Sequence, residues 1–144
     1  MEKEVTALFI GHGDAPYSLK NKIKNEIVEL IKTKNASIFL NGGMGNFDIM
    51  CAECVKELQQ DFPHIKSIIV LPYLNFSGYN INLFDENIYP DLETIPPRAA
   101  IVKRNEWMVK HSGFALCYVT KSVGGAVKTF KLAEKNSLFM VNLL

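Results

Sequence analysis

The sequence predicts an α/β fold, a three-layer sandwich in which helices cover both faces of a mostly parallel sheet. Short apolar runs alternate with longer segments of helical periodicity along the whole chain, which is typical of repeated strand–helix units. The run Ile68-Ile69-Val70-Leu71 is apolar on both faces, as strands of buried parallel sheets are. Two other runs end in glycine-rich turns, near residues 41–46 and 122–126, each directly before a helical pattern.

The first half of the chain contains three short strands, predicted at residues 5–10, 37–40 and 66–71. A helix over residues 19–34 follows the first strand, because its apolar side chains recur three and four positions apart. A second helix, over residues 48–62, ends at Pro63, which cannot continue a helix. These segments make up the first part of the strand–helix alternation.

The second half continues the pattern after an interruption. We predict, in order, a short strand at 89–95, a helix at 97–112, a strand at 113–119, a helix at 123–136 and a strand at 138–141. Residues 72–87 break the rhythm, with four aromatic side chains among Asn, Ser and Gly. We interpret them as a long loop over the top of the sheet, either a ligand lid or a mobile surface excursion with aromatic anchors.

Composition limits the class of protein. A chain of 144 residues with 48% apolar and 22% charged residues predicts one globular domain over residues 1–144. The formal net charge of +1 indicates that nucleic acid is an unlikely partner, since such proteins usually carry a basic excess. No apolar run is long enough to span a membrane, and no signal region follows the N-terminus, so we expect a cytoplasmic protein without membrane partners.

The three cysteines carry no predicted chemistry. Cys51 and Cys54 form a C-x-x-C pair that is compatible with redox chemistry or half of a zinc site, but no second ligand pair follows. Both lie in a predicted helix among apolar residues, and Cys117 lies in a predicted strand. We interpret all three as buried packing residues and expect no metal and no cofactor.

The glycine-rich and polar segments fall at the carboxyl ends of the predicted strands. In parallel α/β sheets, ligands bind in the crevice beyond those ends. The segments concerned are residues 11–14, 41–46, 72–73 and 120–126. Glycines before a helix allow the backbone to approach an anion, which the free N–H groups of the first helical turn then meet. The sequence therefore predicts a phosphate-bearing ligand at this edge.

Four motifs occur in an order that resembles the SLOG superfamily. They are Phe9-Ile10-Gly11-His12-Gly13, Gly42-Gly43-Met44-Gly45-Asn46-Phe47-Asp48, Arg104-Asn105-x-Trp107-Met108-Val109 and Gly124-Gly125-Ala126. This Rossmann-like group includes YpsA-type proteins, lonely-guy phosphoribohydrolases and the DNA-processing protein A core. The sequence is most similar to the YpsA-type branch over nearly the whole chain. The resemblance implies a Rossmann-like domain that binds a nucleotide or nucleotide-derived ligand and forms a homo-oligomer, a dimer or higher.

The sequence departs from the family pattern in three places. Gly13 stands where the family tends to have arginine, and Asn46 is an extra residue between Gly45 and Phe47. The catalytic glutamate of the phosphoribohydrolases has no counterpart after the second glycine turn, where this chain has Thr129 and Lys131. These departures favour binding without turnover, and we assign no catalytic residue.

The predicted ligand-binding residues lie in four segments of the chain. They are Gly11, His12 and Gly13; Asn41, Gly42, Gly43, Met44, Gly45, Asn46 and Asp48; Arg104 and Asn105; and Lys121, Ser122, Gly124, Gly125 and Ala126. Arg104 is the first choice for a phosphate ligand, because a guanidinium can donate two parallel hydrogen bonds to a phosphate.

Several of these residues have a second interpretation. We expect His12 to be exposed at the crevice, as a ligand contact or general acid, or as a loop residue with no role. Asp48 is more simply a helix cap than a contact to a ribose hydroxyl. Lys121 and Ser122 resemble a phosphate loop, although the Walker spacing is absent. Glu53 is interpreted as part of a surface ion pair rather than as an acid–base group.

Two functional hypotheses follow from this reading. The leading one is a cytosolic protein that binds a nucleotide or an ADP-ribose-like molecule without turnover, as a sensor or for ligand sequestration. The alternative is a nucleotide N-glycosidase or phosphoribohydrolase that uses His12, Asp48 or Glu53 in place of the missing glutamate. A third class, nucleic-acid binding through the DNA-processing relatives, is disfavoured by the near-neutral charge.

Overall fold

Six strands and four α-helices alternate along the chain in a computed structural model that describes all residues, 1–144. The strands are Thr6–Gly11 (β1), Ile38–Asn41 (β2), Lys66–Val70 (β3), Glu86–Ile88 (β4), Phe114–Tyr118 (β5) and Phe139–Asn142 (β6). The helices are Lys20–Lys34 (α1), Asn46–Leu58 (α2), Pro97–Lys110 (α3) and Gly125–Lys135 (α4). The predicted Rossmann-like α/β fold is therefore confirmed.

All six strands form one sheet in the order β4-β3-β2-β1-β5-β6, and every neighbouring pair is parallel. The register places Leu8 of β1 opposite Leu40 of β2 on one side and opposite Ala115 of β5 on the other. The chain runs outward from β1 to β4 and then returns to the far side of β1. The direction thus reverses between β1 and β5, the position at which ligands bind in doubly wound sheets.

Alternate residues of β1 face two separate apolar cores. Ala7 and Phe9 pack with the apolar faces of α1 and α2, and the Phe9 ring stacks on Phe39 at a centroid distance of 5.9 Å. Leu8 and Ile10 pack with the apolar residues of α3 and α4 on the other face. The helices form a layer on each side, which explains why the central strands are apolar throughout.

The fourth strand lies at Glu86–Ile88, so the prediction of a strand at 89–95 is wrong. Its polar residues gave no strand signal, because an edge strand is paired on one side only. Asp85 fixes its start, since one carboxylate oxygen accepts hydrogen bonds from Ser67 N at 2.8 Å and Gln59 Nε2 at 2.7 Å. The edge is therefore held by these polar contacts as well as by the packing of Ile88 against the core.

The segment at 72–87 is packed through its aromatic side chains. Ring centroids lie 5.7 Å apart for Tyr73 and Phe76, 5.7 Å for Phe76 and Tyr79, and 5.9 Å for Tyr79 and Phe84. A single 3₁₀ turn, Ile81–Leu83, lies within it. The aromatic-anchor interpretation therefore describes how the segment is held. None of the four α-helices has the length and apolar character that crossing a bilayer requires.

Candidate functional site

Three loops meet at the carboxyl ends of β1, β2 and β5. The β1 loop comprises residues 11–14, the first glycine turn residues 41–46 and the second glycine turn residues 120–126. Asn46 N donates to Gly13 O at 2.9 Å, and Thr120 N donates to His12 Nε2 at 2.9 Å. The β1 loop therefore contacts both glycine turns.

The backbone N–H groups of the first glycine turn are largely bonded within the protein. Asn41 lies at its centre: its Nδ2 donates to Asp48 O at 2.8 Å, and its Oδ1 accepts from Gly43 N at 2.7 Å. Met44 N donates to Asp48 Oδ2 at 3.0 Å, and Asn46 N is bonded to the β1 loop. These donors cannot meet a ligand without breaking an existing bond.

The glycines of the first turn are required by the fold itself. Gly45 has a φ of 91°, and a Cβ there would clash with the Gly13 backbone. Gly43 has a φ of 68°, and a Cβ there would lie 2.7 Å from Ile69 Cδ1, so that side chain would have to shift. Backbone conformation and packing within the chain are sufficient reasons for glycine at both positions.

Arg104 is buried, with only 2% of its surface exposed, and it joins two strand ends. Its Nη1 donates to Gly42 O at 2.9 Å and to Val70 O at 2.8 Å, and its Nε donates to Asn105 Oδ1 at 2.8 Å. Its Nη2 lies 3.4 Å from Met44 Sδ. Most of the donors that were expected to hold a phosphate are therefore bonded within the protein, and only Nη2 lacks an oxygen acceptor.

Asp48 is buried in the first turn of α2 and accepts a hydrogen bond from the preceding loop. The helix has Gly45 at its N-cap without a side-chain cap bond, so Asp48 supports the turn rather than capping the helix. Burial raises the pKa of Asp48 to about 6, while the Met44 N–H and the Arg104 charge act in the opposite direction. This carboxyl group therefore changes its protonation state near neutral pH.

His12 is buried, with 7% of its surface exposed, so the expectation of an exposed histidine is wrong. Its Nε2 accepts hydrogen bonds from Thr120 N at 2.9 Å and from Lys121 N at 3.3 Å. Backbone N–H groups only donate, so the ring is neutral and carries its proton on Nδ1. Burial and the Lys121 charge lower the pKa of His12, which the Asp14 carboxylate partly opposes.

The β1 loop also holds the second glycine turn through an ion pair. Lys121 Nζ lies 3.1 Å from an oxygen of the exposed Asp14 carboxylate. This contact and the two bonds to His12 fix the start of the turn relative to β1. His12 is thus placed to position the turn, a role that local sequence spacing does not reveal.

The remainder of the second glycine turn is open. The six consecutive N–H groups of residues 122–127 donate to no protein acceptor, and the first bonded donor is Lys128 N, to Gly124 O at 3.2 Å. Gly124, the N-cap of α4, has a φ of 120°, which requires glycine. Gly125 has no left-handed φ, and a Cβ there would meet no atom within 4 Å. Neither backbone conformation nor packing explains glycine at 125.

A cavity of about 220 Å³, the α3-side cavity, lies between the first glycine turn and helices α3 and α4. It is lined by Phe9, Ile10, Gly11, Gly42, Met44, Asp48, Ile101, Arg104, Asn105, Met108, Gly125, Ala126 and Thr129. Its lining includes predicted residues from all four motifs. Ile101 and Thr129 were not predicted from the sequence, although both lie one helical turn from a predicted residue.

A second cavity of about 270 Å³, the loop-side cavity, lies between α2 and residues 78–84. Its lining comprises Asn41, Gly43, Gly45, Asp48, Ile49, Ala52, Glu53, Gly78, Tyr79, Asn80, Leu83 and Phe84. Asp48 lines both cavities. Glu53 lies 3.5 Å from Lys20 Nζ, in the ion pair that the sequence predicted.

The remaining predicted residues lie outside both cavities. Lys121, Ser122 and Gly124 are exposed on the second turn, and Gly13 is exposed on the β1 loop. Asn46 is half-buried, and its Nδ2 donates to Ala15 O at 3.3 Å. The structure thus gathers the predicted residues at one edge of the sheet, and their part in ligand binding stays a prediction.

The chain matches the model of the YspA SLOG family (YpsA) over residues 7–138. A relative from Bacillus subtilis strain 168, the uncharacterized SPbeta prophage-derived protein YoqJ, is 29% identical over 141 residues, which cover 83% of this chain and 82% of the relative. A UPF0398 protein from Enterococcus faecalis is 23% identical over 124 residues, covering 78% of this chain and 68% of the relative.

Two solved structures share the fold. DNA processing protein A from Helicobacter pylori, described with its single-stranded DNA binding mode, gives a TM-score of 0.68 at 17% identity. The alignment covers 97% of this chain and 65% of that one, so this chain spans about two thirds of that protein's length. The structure of TM1055 gives a TM-score of 0.62 at 14% identity, covering 97% and 72% of the two chains. At these identities the likeness shows the fold alone.

The expectation that nucleic acid is an unlikely partner is wrong. The Helicobacter pylori structure shows this fold in a protein that binds single-stranded DNA. A net charge of +1 therefore does not exclude nucleic acid for this fold, because binding in a cleft depends on a few local donors rather than on the total charge. The predicted homo-oligomer and the cytoplasmic location stay predictions.

Proposed function

The chain belongs to the YspA SLOG family, and from this premise we propose that it binds a nucleotide or a nucleotide-derived molecule of the ADP-ribose type at the carboxyl edge of its sheet. The ligand is held without turnover, for sensing or sequestration. One observation carries the proposal. Gly125 opens α4 beside a run of unpaired N–H groups, and nothing within the chain requires glycine there.

The start of α4 supplies the donors that a phosphate needs. The N–H groups of residues 125–127 have no protein acceptor, and the helix dipole places positive partial charge at the same point. Phosphates bind at such helix starts when the backbone can approach closely. A side chain at position 125 would extend toward the ligand, so the absence of a Cβ is explained by close approach.

The α3-side cavity receives the adjoining part of the ligand. Its volume of about 220 Å³ is below the roughly 300–1,000 Å³ of pockets that enclose a whole drug-sized ligand. A nucleotide would therefore extend beyond this cavity along the edge of the sheet. Arg104 Nη2 and the Asn105 side chain are the polar groups on the α3 wall.

Binding without turnover is supported by the side chains of α4 that follow the second glycine turn, which include no carboxyl group at positions 129 and 131. Cleavage of an N-glycosidic bond needs a carboxylate near the ribose, to stabilise positive charge or activate water. Thr129 is buried behind the turn, and its Oγ1 donates to Gly125 O at 3.0 Å. Lys131 is exposed farther along α4. Neither side chain can supply that chemistry.

A second candidate function, nucleotide N-glycosidase, is favoured by Asp48. This carboxyl group lines both cavities, and burial raises its pKa to about 6. A group that titrates near neutral pH can donate or accept a proton in catalysis. Its bond to Met44 N limits this role, because a structural contact occupies one carboxylate oxygen.

The test compares Gly125→Val and Gly125→Ala with the parent protein. Calorimetry would measure binding of AMP, ADP, ADP-ribose and a single-stranded DNA oligonucleotide, with adenosine as the phosphate-free compound. We expect Gly125→Val to weaken the phosphorylated ligand by about tenfold or more while the thermal transition is retained, and Gly125→Ala to show a smaller loss. Val123→Ala, at an exposed position of the same turn, is the matched control and should bind as the parent does.

Full affinity of a folded Gly125→Val protein would show that the phosphate lies elsewhere. Mass spectrometry of the same mixtures separates binding from hydrolysis, since intact ligand recovered from the protein supports the proposal. Released base that disappears in Asp48→Asn would establish the N-glycosidase instead. Salt-dependent binding of the oligonucleotide alone would identify nucleic acid as the partner.

A further inference from the structure

The loop-side cavity has no part in the phosphate site, yet its walls are those of a binding pocket. On one side lies α2, with the apolar side chains of Ile49 and Ala52. On the other lie Tyr79, Leu83 and Phe84, from the segment that interrupts the strand–helix pattern. The cavity therefore separates this segment from the helix that the first glycine turn precedes, with apolar side chains on both walls.

The outer wall of the cavity, formed by residues 78–84, is held in place by contacts within the protein. The Tyr79 ring stacks on Phe76 with 14° between the ring planes, and it meets Phe84 edge-on at 76°. The bonds of Asp85 to Ser67 and Gln59 hold the end of the segment against the sheet. A wall fixed in this way binds without the cost of ordering a loop.

The size and polarity of the cavity fit a flat ring with polar edges. A protein cavity of about 150 Å³ accommodates benzene, so a volume of about 270 Å³ is ample for a one- or two-ring heterocycle. The polar groups at its borders are the carboxyl groups of Asp48 and Glu53 and the amide of Asn80. Asn80 Oδ1 accepts from Asn82 N at 3.0 Å, which leaves its Nδ2 free to donate.

We propose that the loop-side cavity binds the nucleobase of the ligand, with one face of the base against the aromatic side chains of Tyr79 and Phe84 and the other against α2. The inference depends on the proposed function for the class of ligand. Asp48 connects the two sites, because it lines this cavity as well as the α3-side cavity. Nucleobases stack on aromatic side chains whatever their identity, and edge contacts then select among them.

The test uses two variants that alter the cavity from opposite sides. Tyr79→Leu removes the aromatic ring and keeps an apolar side chain, whereas Ala52→Met fills the space from α2 and leaves the aromatic wall intact. Tyr17→Leu, at an exposed tyrosine outside both cavities, is the matched control. The probes are AMP, GMP, CMP and UMP, their four nucleosides, and ribose 5-phosphate as the compound without a base.

We expect both cavity variants to weaken binding of the preferred nucleotide and of its nucleoside by about 5- to 160-fold, the range of base stacking on an aromatic side chain. Ribose 5-phosphate should bind the variants and the parent equally. In methyl NMR spectra of the parent, the nucleoside should shift the signals of Ile49, Ala52 and Leu83. The nucleotide should shift these and also the amide signals of residues 125–127.

Each other outcome decides one proposal. Nucleotide binding that both variants retain in full, or an equal loss of ribose 5-phosphate, overturns the base site and leaves the phosphate site standing. Methyl shifts with nucleosides, without amide shifts from any phosphorylated probe, support the base site and refute the phosphate site. If no probe shifts either set of signals, both proposals are wrong.

Discussion

The two glycine turns read alike in the sequence and differ in the structure. In the first turn, the N–H groups of Gly43, Met44 and Asn46 are bonded to protein oxygens. In the second turn, the N–H groups of residues 122–127 are bonded to none. The first glycine turn is thus largely closed by bonds to protein oxygens, and the second is open. A glycine before a helix therefore indicates close approach, and only the structure tells whether the approaching group is protein or ligand.

The third residue of each helix contributes to this difference. In α2 it is Asp48, whose carboxylate reaches back to Met44 N. In α4 it is Val127, which has no acceptor to offer the preceding turn. The Asp48 carboxylate satisfies one donor of the first turn, and Asn41 Oδ1 and Gly13 O satisfy two more, whereas the N–H groups of residues 122–127 have no such acceptor.

The largest expected effect is the loss of stability on replacing Arg104, which holds the first glycine turn. We expect Arg104→Ala to lower the free energy of unfolding by about 3–5 kcal/mol, because a buried cation is lost and the carbonyl groups of Gly42 and Val70 are left unpaired. Urea denaturation measures this change. Lys103→Ala, one residue away on the exposed face of α3, should change stability by less than about 0.5 kcal/mol. A stable Arg104→Ala protein with weakened phosphate binding would instead support the original assignment as a phosphate ligand.

The next largest effect is the difference in stability between glycine-to-alanine substitutions in the two turns. Gly45→Ala should cost about 2–4 kcal/mol, since the new Cβ clashes with Gly13 and the φ of 91° is strained for alanine. Gly125→Ala should leave stability unchanged or raise it by up to about 1 kcal/mol, because alanine fits there and restricts the unfolded chain. Thermal and urea unfolding of the pair measure the contrast. Equal destabilisation would mean that the second turn is also required for folding.

A smaller effect follows from the ionisation of Asp48. Its pKa of about 6 in the folded protein lies above the ordinary value of 3.8, so the folded state holds the proton more tightly. The stability from this group is complete below about pH 4 and is lost as the pH rises through 6. Relative to Asp48→Asn, the parent should lose roughly 2–3 kcal/mol between pH 4 and pH 7 in urea titrations. Parallel pH profiles for the two proteins would show that Asp48 ionises normally.

The smallest effect concerns the attachment of the open turn. His12→Ala removes the acceptor of Thr120 N and Lys121 N and should cost about 1–2 kcal/mol at pH 7.5, whereas His12→Gln keeps an acceptor near the position of Nε2. The pKa of His12 is lowered, so its contribution is present above its ordinary pKa of 6.5 and is lost as the pH falls below it. Amide hydrogen exchange at residues 120 and 121 measures the contact. Unchanged exchange in His12→Ala would show that His12 does not hold the turn.

Much of the fold could be predicted from local pattern. The apolar spacing of α1 and the continuous apolar run of β3 each identify their element, because burial of a stripe or of both faces leaves a period in the sequence. Strand β4 leaves no such period. It is a short edge strand, held by backbone pairing and by Asp85, and these contacts depend on a neighbouring strand rather than on its own residues.

The position of the candidate site could be predicted from the sequence, but the hydrogen-bond partners of its residues could not. Strand ends in a parallel sheet must meet at one edge, so the glycine turns and the β1 loop were expected together. The partners of His12 and Arg104 are 108 and 62 residues away along the chain, and no local spacing encodes such pairs. Both residues were therefore predicted as ligand contacts, whereas the structure bonds them to the backbone.

The three buried cysteines can serve as native probes of local unfolding. Burial raises the pKa of Cys54 and of Cys117 to about 12, and raises that of Cys51 as well, so none is a thiolate in the folded chain. Because alkylating reagents react with thiolates, these side chains are labelled only when local opening exposes them to solvent. Cys51 and Cys54 lie on the helix behind the closed turn, and Cys117 lies on the strand that leads to the open one. Alkylation rates at the three positions would therefore measure, without any substitution, how often local opening exposes each half of the molecule.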